Sequence, residues 1–186
     1  MTITDLITLQ SEAIRMLPCS GPQYPPSVYY RYLALIALKK PAKLFVELGT
    51  CGGGCSRTVA IKSPNTQVIS IDVHKHDTVT QMEPQLPNFR FIKGDSIDLA
   101  KIVGPQCPID LLFIDTIHTY EHTMNEFNAW RPYMAPGGII CFDDLHRPGM
   151  DKVWNDLSGT KTGFNDLARM HIGGSPTDGG FGALIV

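Results

Sequence analysis

Val46-Glu47-Leu48-Gly49-Thr50-Cys51-Gly52-Gly53-Gly54-Cys55-Ser56 is the stretch that decides the fold. A short apolar run, Leu44-Phe45-Val46, leads into it, and a helical pattern, Arg57-Thr58-Val59-Ala60-Ile61-Lys62, follows directly. Between them lies a loop with four glycines. Glycine accepts backbone angles that other residues avoid, and the first turn of a helix leaves N–H groups without partners. Strand, tight glycine turn and helix in this order make the cradle in which α/β proteins hold an adenine-containing cofactor.

Outward from this unit, strands and helices alternate. Strands are expected at 44–48, 67–72, 89–94, 109–115 and 138–143, and helices at 54–61, 77–86, 96–102, 121–133 and 150–157. Residues 166–172 and 181–186 read as two further strands around a turn rich in Gly, Ser, Pro and Asp, a hairpin rather than another crossover. Two helices precede the first strand. One covers residues 5–17 with Thr4 or Asp5 as N-cap; the other starts at Ser27, runs through 28–38 and is stopped by Lys39-Lys40-Pro41. A loop rich in Pro, Gly and Ser, residues 18–26, separates them. The strands are almost continuously apolar, which indicates a parallel sheet covered on both faces.

The 186 residues fit one domain, 1–186, in which residues 1–40 form an N-terminal helical segment. With 18% charged residues and a net charge of −2, the chain carries no electrostatic footprint for a nucleic-acid backbone or an anionic membrane. Neither is expected as a partner. The five cysteines, Cys19, Cys51, Cys55, Cys107 and Cys141, are odd in number and scattered, as suits reduced thiols. Cys51 and Cys55 have no second Cys or His pair near them in sequence, so a zinc site is not expected there. The N-terminus lacks the basic start and long apolar core of a signal peptide, no window reaches transmembrane length, and a cytoplasmic location is expected.

One regularity narrows the class. An acid stands at or just past the end of every strand of the alternating series: Glu47, Asp72, Asp95, Asp115 and the pair Asp143-Asp144. In an open parallel sheet these ends lie along one edge, where ligands bind at the topological switch point. Carboxylates crowded together repel, so fold stability alone does not account for them.

The segments VELGTCGGGCS (46–56), ISIDVH (69–74), GDS (94–96), LLFIDTIHTYE (111–121) and MAPGGIICFDDLH (134–146) together resemble a class I S-adenosylmethionine (SAM) dependent methyltransferase. Within that superfamily the chain is similar to the small O-methyltransferases related to macrocin O-methyltransferase and cephalosporin-hydroxylase-type proteins. The resemblance spans residues 41–186 and implies a Rossmann-like three-layer sandwich. Its seven-stranded, mostly parallel sheet would have the order 3-2-1-4-5-7-6, with a C-terminal antiparallel hairpin.

The resemblance also implies roles. Glu47 would orient the loop and the methionine end of SAM, and Gly49, Thr50 and Gly53 would bring backbone to the cofactor. Cys51 stands where many relatives have a glycine. Asp72 would accept hydrogen bonds from both ribose hydroxyls, and Asp95, with Ser96 beside it, would stand near the adenine amino group. Thr116 replaces a glycine in the segment that relatives commonly show as Asp-Gly-x-His-x-Tyr. Asp115, Asp143 and Asp144 resemble the three-carboxylate site that holds Mg²⁺ in metal-dependent members, and all-oxygen ligation suits that ion. The alternative is that Asp144 caps the next element and Asp143 contacts a backbone amide. His118, three residues past Asp115, matches the proposed general base, or else packs at a helix start; His146 is a second candidate. His122 forms an HxxxH with His118 but lacks the acid motif of a zinc site. Tyr120, Trp130 and Tyr133 read as packing residues.

The expected reaction is transfer of the SAM methyl to the oxygen of a small hydroxylated acceptor, with Asp115 and His118 as catalytic residues and a divalent ion assisting. A non-catalytic SAM- or nucleoside-binding module is the competing reading. A nicotinamide-dependent dehydrogenase is disfavoured because no G-x-G-x-x-G follows the first strand. Little sequence outside the core is left to build a lid, so a homodimer that lends one is expected.

Overall fold

The computed structural model describes residues 1–15, 28–163 and 180–186. Seven strands form one sheet: β1 (Leu44–Leu48), β2 (Gln67–Asp72), β3 (Phe89–Lys93), β4 (Ile109–Ile114), β5 (Met134–Phe142), β6 (Thr160–Gly163) and β7 (Gly182–Ile185). Their order is β3-β2-β1-β4-β5-β7-β6, as the resemblance implies. The first five run parallel, and β7 runs antiparallel to both β5 and β6. β6 lies earlier in the chain than the expected strand at 166–172, which falls outside the described residues, as does the loop at 18–26.

All five residues of β1 are buried, as a strand covered on both faces requires. Alternate side chains serve two cores. Phe45, Leu111 and Phe113 pack with α1 (Ile3–Arg15), α2 (Val28–Lys39), α3 (Gly54–Lys62) and α4 (Asp77–Met82). Val46, Leu112 and Ile140 pack on the opposite face with α5 (Ser96–Val103), α6 (Tyr120–Trp130) and α7 (Met150–Asp156). This is the three-layer sandwich. Trp130 is fully buried and donates its indole N–H to the Ser96 carbonyl at 2.9 Å, which ties α6 to the start of α5.

Helix boundaries follow local chemistry. α1 starts before the expected cap. Thr2 Oγ1 accepts from the Asp5 N–H at 3.2 Å and Asp5 Oδ2 from the Thr2 N–H at 2.7 Å, a reciprocal box that makes Thr2 the N-cap instead of Thr4 or Asp5. Arg31 of α2 is buried and donates from Nε to the Ala13 carbonyl at 3.1 Å, so it satisfies the end of α1. The helix expected at 77–86 splits into α4 and a 3-10 turn, Glu83–Gln85, because Pro84 has no N–H to continue it. α6 likewise yields to a 3-10 turn, Arg131–Tyr133, at Pro132. It begins one residue early, at Tyr120, because Thr119 accepts from the His122 N–H at 3.4 Å. Among the described residues no helix is long and apolar enough to cross a membrane.

Candidate functional site

The glycine loop is anchored from below. Glu47, on β1, is 1% exposed and accepts hydrogen bonds from Ser56 in the first turn of α3 and from Ser70 in β2. Ser70 also shares a 2.6 Å bond with the buried Thr50 hydroxyl, so one carboxylate fixes both ends of the loop. Burial pushes Glu47 up to about 7, and the serine bonds only partly offset this. Gly49 has φ 91 and donates its N–H to the Ile71 carbonyl at 2.8 Å. A Cβ at this position would sit 1.9 Å from the Asp115 carbonyl oxygen, so only glycine fits. Cys51 stands in the left-handed region, φ 46, which explains the glycine of the relatives: the cysteine keeps a conformation that favours glycine. Gly53, φ 78, opens α3.

Next to the loop lies a cavity of about 310 Å³. Gly49, Cys51, Asp72, Asp95, Ser96 and Asp115 line it, with Ile71, Val73, Gly94, Thr116, Ile117 and His122. Five of the eleven expected site residues, Gly49, Asp72, Asp95, Ser96 and Asp115, are not brought to one surface by accident, since they leave from the carboxyl ends of β1, β2, β3 and β4. Glu47, Thr50 and Gly53 stand behind this wall and shape it, and His118 lies beside it with the acids of β5. Asp72 accepts the Cys51 N–H on Oδ2 and the His74 N–H on Oδ1, each at 2.9 Å, which fixes its carboxylate and leaves lone pairs for a ligand. Asp95 caps α5 by accepting from Ile97 N at 2.8 Å and Asp98 N at 3.1 Å through Oδ1. Val73 and Ile117 are 66% and 59% exposed although apolar, and both line the cavity, where a flat ring can cover them.

Sequence reasoning missed Glu126. This α6 residue is 0% exposed, and burial raises its pKa. Ser96 Oγ donates to its Oε1 at 2.5 Å, Thr116 Oγ1 to its Oε2 at 2.7 Å, and His122 Nε2 lies 3.4 Å from Oε1. A signal was present: Thr123, Glu126, Phe127 and Trp130 form the buried stripe of α6, and an acid on such a stripe calls for partners.

At the ends of β4 and β5 the acids gather. Ile114 and Phe142 are register partners, so Asp115 and Asp143 follow at adjacent strand ends. Burial is the main cause that raises both, Asp115 to about 9 and Asp143 to about 7; the charges of Asp143, Glu47 and Asp144 add to the first and that of Asp144 to the second. Asp144 has φ 55, a costly conformation for a residue with a side chain. Its Oδ2 lies 2.5 Å from Arg147 Nε and 3.0 Å from His118 Nε2; His118 is also 3.8 Å from Asp115 Oδ1. Burial lowers the pKa of His118 and Arg147 lowers it further, while Asp144 opposes them. The chemistry of three carboxylates fits a hard divalent ion. As placed, however, Asp144 faces Arg147, and among the described residues no group of three acids, histidines or cysteines stands at ligand spacing.

Other candidates separate from the cluster. His146 is exposed and lies against Gly180, and Cys141 is buried in β5. Tyr120 packs on the α5–α7 side and donates its hydroxyl to Asp156 at 2.8 Å, as a packing residue would. Tyr30 of α2 borders the site: its ring would be 3.2 Å from a Cβ at Gly54, and its hydroxyl pKa is raised by burial and by the charges of Cys55, Asp115, Glu47 and Asp143.

Comparison with known proteins places this geometry. An uncharacterized protein, R132, from Acanthamoeba polyphaga mimivirus is 36% identical over 137 residues, 63% of this chain and 62% of the relative. The chain thus spans about three fifths of that relative's length. An O-methyltransferase from Bacillus cereus, solved with S-adenosylhomocysteine (SAH), superposes with a TM-score of 0.67 at 17% identity, over 98% of this chain and 90% of that one. The MycE methyltransferase of the mycinamycin biosynthetic pathway, solved with Mg and SAH, gives 0.54 at 22% identity, over 81% of this chain and 44% of that one. A family described as a methyltransferase domain matches residues 46–145, more than half of the sequence and the whole run from the glycine strand to the acids of β5. The chain belongs to this methyltransferase-domain family.

Proposed function

We propose that the chain transfers the methyl group of SAM to a hydroxyl oxygen of a small acceptor. The observation that carries this reading is a juxtaposition: a cavity with Asp72, Asp95 and two exposed apolar side chains opens beside a partly buried histidine held by an acid. The residues fit the cofactor. Gly49 leaves its backbone bare, Asp72 has lone pairs for a diol, and Val73 and Ile117 offer the faces a purine needs. SAM supplies an electrophilic methyl group on a sulfonium that leaves as a neutral thioether.

His118 is the proton acceptor. With Nε2 turned to Asp144, the neutral imidazole keeps its lone pair on Nδ1, and the lowered pKa keeps that lone pair free near neutrality. Nδ1 takes the proton of the acceptor hydroxyl as its oxygen bonds to the methyl carbon and the carbon–sulfur bond breaks. Asp144 then faces the imidazolium and stabilises it. Asp115, Asp143 and Asp144 are the residues that would hold Mg²⁺, whose Lewis acidity would acidify the same hydroxyl. The MycE complex with Mg supports that part of the reading.

The test is a panel of hydroxylated acceptors (sugars, phenols, vicinal diols) incubated with methyl-labelled SAM, with and without chelator, and read by mass spectrometry. An O-methylated product that His118→Ala abolishes is the expected result. SAM binding by calorimetry without turnover on any acceptor, indifferent to Asp115→Asn, would instead establish a binding module.

A further inference from the structure

The proposed reaction leaves Glu126 unused, although it is the most buried carboxylate on this side of the sheet. A carboxylate at 0% exposure is expensive to keep unless its bonds return the cost. Its three partners, Ser96, Thr116 and His122, all line the cavity. They arrive from three different places: the first residue of α5, the loop after β4 and the first turn of α6. Glu126 therefore sets the hydrogen-bonding state of one wall from behind.

That state has a definite polarity. The Ser96 and Thr116 hydroxyls donate to Glu126, so neither proton is left for a ligand. A carboxylate 3.4 Å from Nε2 keeps the proton of His122 on that nitrogen. The nitrogen left for a ligand is Nδ1, which then carries a lone pair. Asp95, on the same wall, is also an acceptor and has Oδ1 committed to the α5 cap. This end of the cavity thus presents acceptors. An exocyclic amino group has two N–H donors and matches such a wall; a carbonyl in the same place meets lone pairs with lone pairs.

We propose that His122 is a specificity-determining residue that reads the 6-amino group of the cofactor's purine, and that Glu126 is a positioning residue acting through it by holding its Nε2 proton. This rests on the reading of the cavity as a SAM site. Beyond the Asp95 that the resemblance sets near that amino group, it adds a second acceptor, His122, and names the residue that holds it.

The experiment compares SAH with S-inosylhomocysteine, its 6-oxo counterpart, by calorimetry on the wild type, His122→Ala and Glu126→Gln. The wild type should bind SAH at least tenfold more tightly, the worth of one satisfied against one opposed hydrogen bond. His122→Ala should weaken SAH about tenfold, leave S-inosylhomocysteine nearly unchanged and so erase most of the ratio. His122 is partly exposed, so this variant should fold even where Glu126→Gln does not. A merely structural role would weaken both ligands alike; an unchanged ratio in His122→Ala overturns the inference. Wild type that binds neither ligand overturns the SAM reading itself, and wild type that binds SAH while His122→Ala keeps its preference overturns the inference alone.

Discussion

Glu47→Gln tests the anchor of the glycine loop most directly. The carboxyl is buried beneath the loop, bonded to Ser56 and Ser70, and raised from 4.5 to about 7 mainly by burial. A shift of that size corresponds to about 3 kcal/mol at about 1.4 kcal/mol per unit. Because the folded pKa lies above the unfolded one, the folded chain holds the extra proton between about pH 4.5 and 7. The contribution of Glu47 is therefore fully present below that interval and is lost as pH rises through it. Glutamine keeps the shape and an acceptor oxygen but cannot ionise. The variant should match the wild type near pH 4.5 and exceed it by about 3 kcal/mol at pH 8. Asp115 and Asp143 are raised in the same direction and add to the wild-type slope; because the Glu47 charge is one cause that raises Asp115, the difference between the two proteins reports Glu47 together with its coupling to Asp115. Urea midpoints followed by circular dichroism at four pH values measure it. A difference that does not change with pH would refute the buried, proton-holding role.

Three further outcomes are expected. His118→Gln should lower the turnover rate by about 10²- to 10⁴-fold and remove the acid limb of the pH–rate profile, which in the wild type should fall below the usual histidine range because burial lowers this pKa; a retained acid limb in the variant would assign the base elsewhere. Cys51→Gly should raise stability by about 0.5–1 kcal/mol, because it relieves a left-handed conformation, while Cys51→Val should lower it; melting temperatures that move the other way contradict the strain. Arg147→Ala frees Asp144 and should tighten Mn²⁺ or Mg²⁺ binding by roughly five- to tenfold in calorimetry, whereas weaker binding would make Arg147 part of the ion site rather than its competitor.

Much of the scaffold was legible because its signals are local. The apolar runs at 44–48 and 109–115, the glycine loop and the acids after each strand point to the sheet and to the edge where the cavity opens. The placement of Asp72, Asp95 and Asp115 on the cavity wall was legible for the same reason: each stands a fixed step past a strand. Helix ends were less so, since Thr2 caps α1 through a box with Asp5 and a proline two or three residues away decides where α4 and α6 tighten. What escaped depends on packing between distant segments. Glu126 is thirty residues from Ser96, and only the meeting of α5 with α6 makes them partners. Arg147 reads as an ordinary exposed residue until Asp144 turns toward it. Tyr30 stands in an apolar helix, and only the approach of α2 to Gly54 puts it at the site.

The contact between Gly49 and the Asp115 carbonyl also bears on how this site can be re-engineered. The two loops are stitched by backbone: Gly49 N to Ile71 O at 2.8 Å, Asp115 N to Leu48 O at 2.9 Å and Asp143 N to Ile114 O at 3.2 Å. A side chain at 49 has nowhere to go, so the cofactor loop and the acidic strand ends move as one block. Randomised libraries aimed at new acceptors would waste their diversity on this block. Under the proposed function, Tyr30 on α2 and Arg147 beside Asp144, on elements outside the stitched backbone, are the positions to vary instead.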